Sequence, residues 1–200
     1  MKFLEGPAKD NSNSPLFFNM PMVFFYVMNF YALQVRTRSE DRYIKKVTSI
    51  NSGFSDDRIR LHFPRRRMQV RRQGKEIMEI APVFPGYLFL ETTEFSKELR
   101  WFLRQTEGFF RFLPDNTHPA PLAGRDLSTL MHFISTGPIA ERSRVIFDEQ
   151  DRIQILSGPL KGLEGQIVKV DKRKGRAKVK LDLYNEQFLI DFSFEMIARP

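Results

Sequence analysis

The chain has no cysteine, and among its 200 residues only three histidines, His62, His118 and His132. Disulfides, thiolate nucleophiles and Cys-ligated zinc are therefore excluded. The histidines show none of the short spacings that build an imidazole metal site. The patterns GxxxxGK(S/T), GxSxG and HExxH are absent, so phosphate-loop, serine-hydrolase and zincin chemistry have no motif to rest on. No carboxylate pairs with a histidine or a glycine loop in a catalytic pattern. Glu164 near Lys161 reads as a turn ion pair of little energetic weight, and the single tryptophan, Trp101, as a partly buried ring. The expectation is a protein that is not an enzyme and needs neither cofactor nor metal.

What the chain does have is positive charge. Lys and Arg number 32 against 24 Asp and Glu, a net +8 at pH 7, with a pI near 9.8. That balance favours a polyanionic partner. The charge is also clustered. Between Arg58 and Lys75 lie Arg58, Arg60, Arg65, Arg66, Arg67, Arg71, Arg72 and Lys75 with no acid among them. From Lys169 to Lys180 there are seven basic residues against the single acid Asp171. A charge run is ordinarily a solvated face, but runs this pure favour phosphate contact.

Apolar residues dominate Pro15 to Leu33, yet Asn19, Pro21 and Asn29 interrupt a stretch barely long enough to span a bilayer. No small-x-small cleavage site follows it. Residues 1–27 read as a disordered tail, and organised sequence starts at Met28. The expected location is cytoplasmic, without a membrane.

From there the pattern is that of an α+β protein. "FYALQVR" alternates like a strand. "SEDRYIKKVTSI" carries Ser39 as N-cap, Glu40 and Asp41 in the first turn, and a stripe of Tyr43, Ile44, Val47 and Ile50. Short strands follow, with Gln73 and Gly74 in a hairpin turn. A second helix carries Leu99, Phe102 and Leu103, with Gly108 as its stop. A third presents Leu127, Leu130, Met131 and Ile134 on one face. These elements form one domain over 28–136. Residues 137–148 read as a linker. From 149 to 200, short alternating strands and tight turns imply a small barrel.

The stretch "DRIQILSGPLKGLEGQIVKVDKRKGRAKVKLDLY" closely resembles the KOW motif of NusG-family transcription factors. Gly158, Pro159, Gly162 and Gly165 supply its turns. "FYALQVRTRSEDRYIKK", "PVFPGYLFLE" and "GFFRFLPDNTHPAPLAGRDL" resemble the family's N-terminal (NGN) domain in the right order. The resemblance implies an NGN domain, an antiparallel sheet flanked by helices, followed by an SH3-like KOW barrel. It further implies a monomer that binds the clamp helices of the largest RNA polymerase subunit and promotes elongation or antitermination. Tyr31, Phe84, Pro85, Gly86 and Tyr87 are the candidate polymerase patch. Arg36, Arg38 and Arg42 lie where the family approaches non-template DNA. Arg65, Arg66 and Arg67, and Lys172, Arg173, Lys174 and Arg176 on a solvated KOW tip, are further candidates for contact with DNA or nascent RNA.

In the basic tip and in "DNTH" before "PAPL", the chain looks most like the specialised LoaP-type antitermination paralogues. Leu160 and Leu163 stand where housekeeping barrels often carry phenylalanines that meet protein partners. The alternatives are a housekeeping factor linking polymerase to Rho or a ribosomal protein, and a KOW-containing ribosome-associated RNA-binding protein.

Overall fold

The computed structural model describes residues 28–50 and 59–197, without the side chain of Ile50. The tail expected over 1–27, and Arg58, lie outside the described residues. The elements of the first part are β1 (Asn29–Val35), α1 (Glu40–Ile50), β2 (Arg60–His62), β3 (Arg65–Arg72), β4 (Lys75–Pro82), β5 (Tyr87–Thr92), α2 (Lys97–Gln105), β6 (Phe109–Phe112) and α3 (Gly124–Ser135). They are followed by β7 (Ile139–Ala140), β8 (Ser143–Phe147), β9 (Ile153–Ser157), β10 (Ile167–Asp171), β11 (Arg176–Leu183) and β12 (Glu186–Met196).

The first sheet runs β2-β5-β1-β6, all antiparallel. Successive side chains of a strand point to opposite faces, so β1 sends Tyr31, Leu33 and Val35 to one side and Phe30 and Ala32 to the other. The first side is covered by α1 and α2 through Tyr43, Val47, Leu99 and Leu103. Ser96 starts α2, its hydroxyl accepting from the Leu99 N–H at 3.1 Å. Trp101 is 66% exposed, contrary to expectation. Leu99 and Leu103, one turn apart, set the buried stripe, and a residue two places along from Leu99 falls on the far face.

β3 and β4 form a long hairpin whose turn residues, Gln73 and Gly74, have φ of 48° and 79°. Two left-handed residues in succession match the twist of a tight hairpin. β7 adds to this pair in parallel, beside β3. The stretch read as a linker thus contributes one strand to this sheet and another, β8, to the next.

The C-terminal sheet runs β10-β11-β12-β8-β9. It curls around Val145, Ile155, Leu160, Ala177, Val179, Leu181 and Phe194. Leu160 and Leu163 are buried in this core. Gly158 (φ 93°) is fixed by crowding, since a Cβ there would stand 2.6 Å from Ser143 Cα. Gly165 sits in a short 3-10 turn just before β10.

The barrel does not stand apart. Its core is continuous with the second face of the first sheet, where Ala32, Phe84, Tyr87 and Phe89 meet Leu130 and Phe133 of α3. In α3 it is Phe133 that turns inward, while Met131 is 42% exposed. The rings of Phe133 and Phe192 stack at 5.6 Å, and this contact with the barrel sets the helix phase.

Candidate partner and nucleic-acid surfaces

The strand carrying "FPGY" is positioned by its turn. Gly86 has φ 82°, and a Cβ on it would meet Thr37 Oγ1 at 3.0 Å. Its N–H donates to the buried Glu40 carboxylate at 2.8 Å, and its carbonyl accepts from Val35 N at 2.8 Å. This anchoring turns Phe84 and Tyr87 to the second face of the sheet and leaves Pro85 exposed. Tyr31 lies on the opposite face, its ring 4.4 Å from Phe95. The five candidate patch residues therefore do not form one surface. Tyr31 is separated from Phe84 and Tyr87 by the thickness of the sheet, because β1 and β5 pair with Tyr31 opposite Leu90 and Gln34 opposite Tyr87.

Phe84 and Tyr87 are buried, at 1% and 4% exposure. What covers them is the barrel. Phe188 stands edge-on to both rings, with its centroid 5.6 Å from that of Tyr87. The Tyr87 hydroxyl donates to Glu186 at 2.6 Å, and Arg111 donates to the other oxygen of the same carboxylate at 3.0 Å. Burial, then the bond to Glu186, pushes the Tyr87 phenol up to about 12, with Arg111 opposing. On the α3 side, Tyr184 accepts no less a role: its N–H donates to Asp126 at 3.1 Å and its hydroxyl to the Ala120 carbonyl at 2.7 Å. His132 Nε2 bonds the Pro159 carbonyl at 2.8 Å.

A polar seam along β3 and β12 completes the contact. Gln69 N donates to Ser193 Oγ at 2.9 Å, and Arg176 donates to the Gln69 carbonyl at 2.9 Å. Arg66 donates to the Asp191 carbonyl at 2.6 Å and also to the Pro82 carbonyl, with its guanidinium 5.5 Å from the centre of the Phe192 ring. Burial pulls the Arg66 pKa down to about 10, against the attraction of Asp191.

The basic run from Arg60 onward is thus largely engaged within the molecule. Arg65 pairs with Asp41 at 3.6 Å, and Arg67 grips Glu141 with two bonds of 2.6 and 2.9 Å. Arg66 serves the domain contact. Partners distant in sequence stand beside all three, and Arg65 and Arg67 remain about one-third exposed, at 32% and 33%. By contrast, Arg36, Arg38 and Arg42 are exposed around the β1–α1 turn. Lys46, which bonds the Glu107 carboxylate directly, holds that carboxyl below its usual range, with smaller help from Arg42 and Arg36.

The KOW tip is more structured than a solvated turn. Asp171 accepts from the Lys174 N–H at 3.0 Å, which depresses its carboxyl pKa. The Phe194 N–H donates to the Gly175 carbonyl at 2.8 Å. Lys172 pairs with Asp151 and lies 4.1 Å from the Phe147 ring centre. Arg176 points back into the seam. Arg173 and Lys174 remain exposed.

Two family models match this chain: that described as transcription termination factor nusG over residues 28–131, and the KOW motif over residues 149–181. The chain belongs to the NusG family. Curated relatives are named transcription termination/antitermination protein NusG. The one from Thermus thermophilus is 22% identical over 157 residues, covering 74% of this chain and 84% of the relative. Those from Bacillus subtilis (22% over 158 residues; 78% and 86% covered) and Streptococcus pyogenes (26% over 149; 72% and 79%) are similar in extent. A solved structure described as "Domain interaction in Thermotoga maritima NusG" superposes with a TM-score of 0.57 at 18% identity, covering 84% of this chain and 94% of that one. That likeness establishes the shared fold. Among the described residues no helix is long and apolar enough to cross a membrane.

Proposed function

We propose that this NusG-family protein binds RNA polymerase through Phe84 and Tyr87, and that in the closed arrangement its own KOW barrel occupies that patch. The observation that carries the reading is the burial of both aromatic rings beneath Phe188. Large rigid rings are the usual anchors of an interface, and here they already serve as one. Polymerase binding then requires the barrel to leave. The apparent affinity is reduced by the fraction of molecules that are closed.

Once bound, the factor favours the elongating state of polymerase by no more than its differential affinity for the states it bridges. The freed barrel, with Arg173 and Lys174 at its exposed tip, contacts nascent RNA and selects the operons at which antitermination occurs. Arg36, Arg38 and Arg42 face non-template DNA. Leucines at 160 and 163, buried in the closed arrangement, in place of the phenylalanines of housekeeping barrels support a specialised factor over one that links polymerase to Rho or the ribosome.

The test is binding of the full chain to an isolated clamp-helix fragment, followed by in vitro transcription on leader templates. Binding that is weak in the native chain, strengthened when Phe188 is removed and lost when Tyr87 is removed supports the reading. Equal binding by all three, with circular dichroism showing them folded, places the polymerase contact elsewhere.

A further inference from the structure

The basic tip of the barrel does not face open solvent on all sides. Across from it stands the β3–β4 hairpin of the NGN domain, and between them runs a cleft of about 630 Å³. Six cations line it: Arg71 from the hairpin, Arg142 from the connection, and Lys172, Arg173, Lys174 and Arg176 from the KOW turn. Only two carboxylates, Glu76 and Glu195, join them. A smaller hollow of about 190 Å³ shares Lys174 and Arg176 with the cleft and continues it past Lys169 and Lys178, with Asp171 and Asp191 also in its wall. The result is a trough with cations on both banks.

The engaged and the available cations can be told apart. Arg142 is held by Gln69 at 2.7 Å and Glu195 at 3.1 Å, Lys172 by Asp151, Lys174 by Asp171 at 3.7 Å and Lys178 by Asp191 at 3.1 Å. Arg71 bonds the Gly74 carbonyl at 3.2 Å through Nε, and neither it nor Arg173 has an ion-pair partner among the described residues. Both are exposed. Arg176 gives one nitrogen to the Gln69 carbonyl, while its buried Nε has no acceptor. A buried donor without an acceptor is costly. An anion in the trough relieves the positive charge crowded there.

We propose that this trough binds the phosphodiester backbone of a single nucleic-acid strand, and that it exists only while the barrel is docked. The inference rests on the reading that the KOW tip binds nucleic acid, and it adds that the NGN hairpin supplies the other bank. A strand that touches Arg71 and Arg173 together stabilises the closed arrangement. Polymerase binding at Phe84 and Tyr87 requires the open one. The two ligands oppose each other without sharing a contact, and by linkage each weakens the other by the same factor.

The experiment measures fluorescence anisotropy of a labelled oligouridylate and of the matching oligodeoxythymidylate with the full chain, over a range of salt. Arg71→Gln and Arg173→Gln are each expected to weaken binding about three- to tenfold and to lower the salt slope by about 0.7, the loss of one phosphate contact on a single strand. Whichever strand binds more tightly names the source of the phosphates. Phe188→Ala, which loosens the docking without touching the trough, is expected to weaken the oligonucleotide while strengthening the clamp-helix fragment. If Arg173→Gln weakens binding and Arg71→Gln does not, the trough is overturned and the tip reading stands. If neither substitution matters, both fall. Loss with Arg71→Gln alone also overturns the trough, because it requires both banks.

Discussion

Phe188 of the barrel and Phe84 of the first sheet meet edge to face, with 5.5 Å between ring centroids and 89° between planes. Each such pair contributes about 0.5–1.5 kcal/mol beyond area burial, and Phe188 makes a second with Tyr87. Phe188→Ala should therefore shift the closed–open balance and tighten clamp-fragment binding about tenfold. Calorimetry on the folded variant checks it. An unchanged or weakened affinity would show that docking does not limit access to the patch.

The same contact should be sensitive to alkali. The Tyr87 phenol is raised from 10.0 to about 12. A group whose pKa is raised on folding stabilises the folded form fully below its unfolded value, and loses that contribution as pH rises through the folded one. The docked arrangement is thus expected to weaken between roughly pH 10 and 12, where a Tyr87 phenolate would face the Glu186 carboxylate. Ultraviolet titration of tyrosinate should show several late-titrating groups, since burial also raises Tyr43 and Tyr184. The component lost in Tyr87→Phe should move down in Glu186→Gln while burial still holds it above 10. A titration curve identical to the native one would contradict the assignment.

Gly158→Ala is expected to destabilise the barrel by about 2 kcal/mol or more, since a left-handed alanine is strained and its Cβ would collide with the β8 backbone at Ser143. The denaturation midpoint reports this. A shift smaller than that of Gly162→Ala, where nothing lies within 4 Å of the added carbon, would mean that the backbone yields easily at the β8 contact.

Changing Arg36, Arg38 and Arg42 together to Gln should flatten the salt dependence of single-stranded DNA binding by the polymerase complex by about two units. Clamp-fragment affinity should stay the same, because these side chains lie at the β1–α1 turn rather than among the rings. An unaltered slope would remove them from the nucleic-acid path.

Much of the architecture is legible in local pattern. The alternation of β1, the hairpin at Gln73 and Gly74, and the KOW turns all follow from nearby residues. β8 was harder to see, because "SRVIF" carries no bounding glycine and owes its place to parallel pairing with β12, some fifty residues on. The site was legible only in part, for the same reason. That Phe84 and Tyr87 form an aromatic strand is local. That Tyr31 lies across the sheet depends on the register of β1 against β5. The charges of Arg65, Arg66 and Arg67 are plain in the sequence, but their acceptors, at Asp41, Asp191 and Glu141, come from three other places in the chain. Trp101 and Met131 show the matching error on helices, where one residue of phase decides between core and water.

β7 belongs to the NGN side and β8 to the barrel, so Glu141 and Arg142 alone connect the two bodies. Each is tied down, Glu141 to Arg67 and Arg142 to Glu195. Two extended residues reach about 7 Å. With so short a leash the barrel cannot drift away from the first domain. In the opening proposed above it would swing about a fixed corner, exposing Phe84 and Tyr87 like a page turned on its spine, unless β7 also peeled from β3. Unpairing β7 from β3 and releasing the Arg67–Glu141 pair would lengthen the leash, so in that opening the reach of the barrel would be governed by a two-residue strand and its flanking ion pair.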